Sequence, residues 1–249
     1  MAEWFADFKQ DFITCFVTKN RWKYLVSGFG NTIKITFMAL VFGVIIGIIL
    51  SMIRATWDKN CDSMRKGFGR TVLSILNGFA KLYLTVIRGT PAVVQLLIIY
   101  YVVFASSNNG VMVAAFAFGI NSGAYVAEII RGGIMSIDAG QFEAGRSLGF
   151  NYIQTMWHII IPQALKNVLP SLVNEFITLL KETSVAGYVS VQELTKGGDV
   201  IRGVTYISFM PLFAVALIYL IVVMLFTWLL GKLERHLRNT GADPVQNDS

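Results

Sequence analysis

From Thr32 to Ile53 the chain carries one ionisable side chain, Lys34, and Arg54 follows at once. An apolar helix of about 20 residues matches a hydrocarbon core about 30 Å thick. Further segments of this kind fall at about 91–106, 111–131, 166–188 and 206–230. Hydrophobic residues make up 55% of the 249, and the mean hydropathy is +0.59, too apolar for a soluble domain of this size. The fold class is an all-α integral membrane protein with about five transmembrane helices in a lipid bilayer. Gly43 and Gly47, four apart on the first span, permit close approach of another helix.

The basic residues orient these spans. The loop after Arg54 carries Lys59, Arg65, Lys66 and Arg70 against Asp58 and Asp62, which places it in the cytoplasm and the N-terminus outside. The 134–165 loop and the tail after Gly231, with Lys232, Arg235 and Arg238, read as cytoplasmic too. The formal charge of +6 thus reflects cytoplasmic loops and not nucleic-acid binding. The turn Ser106–Gly110 is short and polar, as an external hairpin should be. Residues 71–87 are apolar but interrupted by Lys81, and Arg88-Gly89-Thr90-Pro91 breaks the chain after them. Parity makes this segment a helix tilted along the inner interface, with Lys81 reaching to the headgroups. Residues 1–27 lack the uninterrupted apolar core of a cleavable signal. Trp4, Phe5, Phe8, Phe12, Ile13 and Phe16 instead follow helical spacing, which suits an amphipathic interfacial helix or a docking surface for a partner. The expected organisation is this segment at 1–27, a membrane domain at 28–232 and a cytoplasmic tail at 233–249, disordered from Gly241.

Between the third and fourth spans lies a polar stretch too long for a simple turn. Gly149 can adopt the left-handed conformation that ends a helix. Asn151 can cap a second one, with Gln154 completing a capping box. Tyr152, Ile153, Met156, Trp157, Ile160 and Ile161 share one face of that helix, and Pro162 should end it. The spacing predicts a helix–turn–helix over about 138–162 at the membrane surface, packed on its own protein or on a partner.

Ionisable groups inside spans are costly and face a cavity or another protein surface. Asn121, Tyr125 and Glu128 share a face of the third span by their spacing. Ser171, Asn174, Glu175, Thr178 and Glu182 form a second stripe on the fourth, with Lys181 beside it. Glu175 lies roughly 14 Å along the helix from Lys166, near the midplane. A zwitterion needs an acceptor for its ammonium and donors for its carboxylate, and this stripe offers both. Pairing of Lys181 with a glutamate on a neighbouring span is the structural alternative. Glu128 with Arg131 reads as an inner gate or a packing pair. No phosphate-binding loop is present. His158 and His236 stand alone, Cys15 and Cys61 have no metal or redox spacing, and no nucleophile–base set emerges. No catalytic residue, metal or cofactor is expected.

The run Glu143-Ala144-Gly145, three residues, Gly149, nine residues, Ile159-x-Ile161-Pro162 resembles the coupling loop of ABC-importer permeases, whose pattern is Glu-Ala-Ala…Gly…Ile-x-Leu-Pro. This chain has Gly145 for the second Ala and Ile161 for the Leu. Arg88-Gly89-Thr90-Pro91, Ala124-Tyr125 through Glu128 to Arg131-Gly132-Gly133, and Asn174-Glu175-Phe176-Ile177 to Lys181-Glu182-Thr183-Ser184 are similar to the polar amino-acid uptake permeases. The resemblance runs from about Gly28 to the C-terminal helix. It implies the membrane subunit of an ATP-driven importer in a bacterial cytoplasmic (inner) membrane. It implies a dimer of such subunits, homo- or heteromeric, two cytoplasmic subunits that bind the ATP, and an extracytoplasmic solute-binding protein. Glu143, Ala144, Gly145, Gly149, Ile159 and Pro162 would engage the ATPases. Asn121, Tyr125, Glu175, Thr178, Lys181, Glu182 and Ser184 would line the amino-acid path, with Glu182 where relatives often carry Asp. The competing readings are an ion-coupled secondary transporter, with Glu128, Glu175 and Lys181 relaying protons, and a membrane-integral enzyme lacking any visible reactive set.

Overall fold

The computed structural model describes the backbone of residues 2–61 and 67–241, and the side chains of 7–59, 61 and 67–237. Trp4, Phe5, Asp62, Arg65, Lys66, Arg238 and the tail from 242 therefore lie outside the described side chains. Among the described residues there are helices and turns and no strand. The helices are α1 (Ala2–Phe12), α2 (Trp22–Asn60), α3 (Phe68–Gly89), α4 (Ala92–Ile98), α5 (Gly110–Met135), α6 (Ala139–Ser147), α7 (Tyr152–Thr155), α8 (Ile161–Glu182), α9 (Leu194–Thr205) and α10 (Phe209–Gly241).

Among the described residues four helices are long and apolar enough to cross a membrane: Trp22–Lys59, Phe68–Gly89, Gly110–Met135 and Phe209–Leu237. Three expectations are corrected here. The segment 71–87, read as an interfacial helix, is part of a 22-residue helix with the length and composition of a crossing. The span expected at 91–106 is a shorter apolar helix, Ala92–Val103, whose last turn, Ile99–Val103, is π-helical. The break has a local cause. Pro91 pushes Thr90 into extended backbone, at φ −123° and ψ 145°, and neither residue can continue α3. The span expected at 166–188 falls on α8, which contains Pro170, is not among those four helices, and closes in a tight turn of helix over Thr183–Val189. Helices also run through both expected domain boundaries: α2 begins at Trp22, ahead of residue 28, and α10 continues past 232.

The chain forms two compact units. The first comprises residues 1–41, 91–119 and 176–225, the second 42–90, 120–175 and 226–249. The chain therefore passes from one unit to the other five times, once at the Thr90–Pro91 break. In the first unit, α9 was not expected from sequence. Glu193 caps it by accepting from the backbone N–H groups of Thr195 and Lys196. Asn31 donates to the Gln192 carbonyl at 2.7 Å, and the Leu194 N–H donates to Thr32 Oγ1 at 3.1 Å. Leu194 and Ile201 pack with Cys15, Leu25, Met210 and Val215 in a buried core. Phe8 and Phe12 are exposed, while Phe16 turns inward onto that core. In the second unit, Gly43 faces Ser122 and Gly123, and Gly47 faces Val126 and Ala127. The small pair brings α2 against α5, as its spacing predicts.

Candidate functional site

The polar loop folds as a helix–turn–helix. Asp138 caps α6 by accepting from the Gly140 N–H at 2.7 Å. Gly149 lies at φ +78°, and the chain closes α6 through Gly149 N–H to Arg146 O (2.9 Å) and Phe150 N–H to Gly145 O (3.0 Å). This pair of bonds satisfies the last carbonyls of a helix whose terminal residue is left-handed. Asn151 and Gln154 exchange two 2.9 Å bonds, side chain to backbone in each direction. Both expected devices are present.

Two details of the expected second helix are corrected. Pro162 does not end it: α7 passes through a π-helical turn, Met156–Ile160, and continues into α8. The wider turn re-registers the backbone hydrogen bonds just where Pro162 has no N–H to give. The face is also rotated. Met156 and Ile160 are buried with Ile134, Ile137 and Ala164, but Ile153 and Trp157 are 76% and 68% exposed. With the exposed Leu148 they leave an apolar surface on the loop. Glu143, Ala144 and Pro162 are exposed, Ile159 is half-buried, and Gly145 is buried. A Cβ on Gly145 would stand 2.6 Å from Thr155 Cγ2, so the missing side chain is what lets α6 and α7 meet.

Glu128 and Arg131 belong to a chain of four charges within the second unit. Arg131 Nη1 lies 3.0 Å from Asp58 Oδ2, and Nη2 lies 3.9 Å from Glu128 Oε2. Arg88 Nη1 reaches the same Glu128 oxygen at 3.6 Å, and its guanidinium carbon lies 5.7 Å from the centre of the Tyr125 ring. A cavity of about 490 Å³ opens here, lined by Arg54, Lys81, Leu84, Thr85, Arg88, Gly89 and Glu128. Sequence reasoning took Arg88 as part of a chain break and of a run resembling the uptake permeases, and Asp58 only as a loop charge. Arg88 was visible in the Arg-Gly-Thr-Pro run, whereas nothing in the sequence pairs Asp58 with Arg131.

Glu175 has a different partner from any expected. Glu175 is 8% exposed and accepts a 2.7 Å hydrogen bond from Ser122 Oγ, beside the buried Asn121. In the first unit, Thr178, Glu182 and Ser184 are half-buried and Lys181 is exposed. Lys181 makes no ion pair among the described residues, so the alternative of a pairing with a glutamate on a neighbouring span is not seen among them. Ser184 instead lines a cavity of about 430 Å³ with Tyr188, Glu193 and residues of α9. There Asp199 accepts from Lys196 and Arg202, and these hydrogen bonds hold its carboxyl below the usual carboxylate range. Burial pushes the Glu193 carboxyl up, against the backbone bonds it accepts. Among the described residues no cluster of His, Cys, Asp or Glu could hold a metal ion.

Comparison with known proteins carries the argument beyond geometry. A profile of the binding-protein-dependent transport system inner membrane component matches residues 43–239. The glutamine transport system permease protein GlnP of Escherichia coli is 35% identical over 219 residues, covering 86% of this chain and 93% of that protein. The arginine transport system permease protein ArtQ of Bacillus subtilis is 33% identical, covering 87% and 93%. A crystal structure of an amino acid ABC transporter with histidines superposes at a TM-score of 0.76 with 38% identity, over 89% of this chain and 98% of that one. An inward-facing MetNI methionine ABC transporter, at 20% identity and a TM-score of 0.70, shares the fold. Four helices of membrane-crossing length among the described residues, a capped helix–turn–helix and a profile match over most of the chain agree, and this protein belongs to the family of inner membrane components of binding-protein-dependent transport systems.

Proposed function

We propose that this chain is the permease subunit of an ATP-driven amino-acid importer, with the path for a zwitterion running past Arg88, Tyr125 and Glu128. The carrying observation is the 490 Å³ cavity, where a guanidinium and a carboxylate 3.6 Å apart stand on α3 and α5. An amino acid has the complementary pair: its carboxylate suits Arg88, and its ammonium suits Glu128. The long Arg88–Glu128 contact is one that a substrate can replace. Glu175, held by Ser122, would set the polarity of the path. The GlnP and ArtQ relatives carry amino-acid transport in their names, which supports this substrate class.

The exposed Glu143 and Ala144, with Leu148, Ile153 and Trp157, form the surface for the ATP-binding subunits, one on each of two permease subunits. ATP is bound by those partners. An extracytoplasmic binding protein delivers substrate, the N-terminus lies outside, and the C-terminus is cytoplasmic. ATP-driven closure would press on 138–162 and move the spans between outward and inward access.

The test is amino-acid stimulation of ATP hydrolysis by the complex reconstituted with its partners. Losing one charged hydrogen bond costs about 1.5–3 kcal/mol, so Glu128→Gln or Arg88→Met should raise the half-maximal amino-acid concentration roughly 10- to 100-fold. Unchanged values in both would remove these residues from the path. Uptake by the purified chain alone, driven by an ion gradient, would overturn the ATP-driven reading.

A further inference from the structure

Two consecutive residues at the cytoplasmic end of α2 reach in different directions. Asp58 takes Arg131 on α5 at 3.0 Å. Lys59 sets its ammonium 4.6 Å from the centre of the Phe142 ring on α6, in the helix that carries Glu143. One turn earlier, Arg54 donates to Asn77 Oδ1 on α3 at 3.0 Å. The end of α2 is thus held to α3, α5 and the first loop helix by polar contacts, all within the second unit.

The contact to α5 leads on to the proposed path. Arg131 is shared between Asp58 and Glu128, and Glu128 is shared between Arg131 and Arg88. The charges alternate along this chain, so a substrate that captures Arg88 and Glu128 changes what Glu128 offers to Arg131. The Arg131 guanidinium is not saturated: its Nε is buried without a hydrogen-bond partner. An unmade bond at a buried charged group is costly, and it is the state expected of a group that exchanges partners.

We propose that Asp58 and Lys59 are positioning residues that couple occupancy of the Arg88–Glu128 site to the loop helix α6 through Arg131 and Phe142. Neither touches the substrate. Asp58 fixes Arg131 against the end of α2, and Lys59 fixes the end of α2 against Phe142. A change at Glu128 then moves α6 and the surface beside it as one body. The inference rests on the reading of Arg88 and Glu128 as the substrate site.

The experiment uses the full complex in lipid vesicles and measures the unstimulated ATPase rate, its maximal stimulation by amino acid, and the half-maximal amino-acid concentration. Asp58→Asn and Lys59→Met should leave the unstimulated rate and half-maximal concentration within about twofold of wild type and cut maximal stimulation about tenfold, the scale of one charge-assisted contact. Asp58→Glu and Lys59→Arg keep the carboxylate and the cation over the ring, and should recover most of the stimulation. The double variant Asp58→Asn/Lys59→Met should be no worse than the worse single, because both sit on one path. Full stimulation in both singles, with Glu128→Gln still shifting the half-maximal concentration, overturns the coupling role and leaves the substrate site standing. A shift of the half-maximal concentration in Asp58→Asn overturns it also, by placing Asp58 in the site. Loss of complex assembly or of thermal stability in both singles would make the residues packing groups, and that equally overturns the proposal.

Discussion

Replacing Gly145 by alanine restores the residue that the family pattern carries, yet the geometry makes it unfavourable here. A Cβ at 145 would lie 2.6 Å from Thr155 Cγ2 and 2.7 Å from Thr155 Oγ1, well inside the roughly 3.5–4.0 Å of an ordinary carbon contact. Thr155 cannot turn away freely, because it is buried and its hydroxyl donates to the Asn151 carbonyl at 3.1 Å. Overpacking of this kind costs about 1–3 kcal/mol. Against it stands a helix-propensity gain of about 1 kcal/mol for Gly→Ala in the interior of α6. The single variant therefore reports a difference, and the clash is isolated by a double-mutant cycle with Thr155→Ala. The coupling free energy should be about 1–3 kcal/mol in favour of the double variant, which corresponds to roughly 5- to 150-fold in the exchange protection of the loop amides. The assay is hydrogen exchange of residues 139–160 in the assembled complex, read beside ATP-dependent uptake. A coupling below about 0.5 kcal/mol, the scatter of independent sites, would refute the claim that Gly145 and Thr155 set the approach of the two loop helices.

Three further outcomes are expected. Ser122→Ala removes the 2.7 Å donor to Glu175, and should cost about 1.5–3 kcal/mol in thermal stability while Glu175 remains charged; the loss should shrink in a Glu175→Gln background, and equal loss in both backgrounds would show that the bond does not carry the effect. Cys61 follows the end of α2 and should be labelled by a membrane-impermeant thiol reagent only from the cytoplasmic side, so labelling on intact cells would invert the proposed topology. Asp199 has a depressed pKa, so its contribution to α9 is present above the ordinary carboxylate value of 3.8 and is lost as pH falls below it; exchange protection of α9 should drop in that acid window, and the drop should vanish in Asp199→Asn.

What the sequence disclosed depended on how local the cause was. Gly149, Asn151 and Gln154 act on backbone groups one to three residues away, and their roles were readable from spacing alone. Gly43 and Gly47 announced a close helix contact, though only the fold names Ser122 and Val126 as what they meet. Pro162 misled because a proline normally stops a helix, and a π-helical turn over Met156–Ile160 removes the need for its N–H. Ile153 and Trp157 face outward because the buried stripe runs through Thr155, Met156, Ile160 and Ala164, a neighbouring face with equally regular helical spacing. Helix α9 stayed hidden because Gly197 and Gly198 look like breakers; in the fold they let α9 approach the Tyr24 carbonyl and Val215. The partners of Glu175 and Arg131 were out of reach for a simpler reason. A serine and a loop aspartate have no periodicity to betray them, and their value comes from segments distant in the chain.

The interleaved order of the two units bears on how such a chain is made. Neither unit is a contiguous stretch: the first takes its last piece from 176–225 and the second from 226–249. A ribosome adding about 5–20 residues per second needs roughly 10–45 s to reach position 225. Throughout that time Glu175 and its donor Ser122 are in place before the helix that completes their unit exists. Biogenesis must therefore hold several polar spans in an unfinished state until α10 is released. Chains cut short before Phe226 lack the last piece of the second unit and should be substrates for membrane proteolysis.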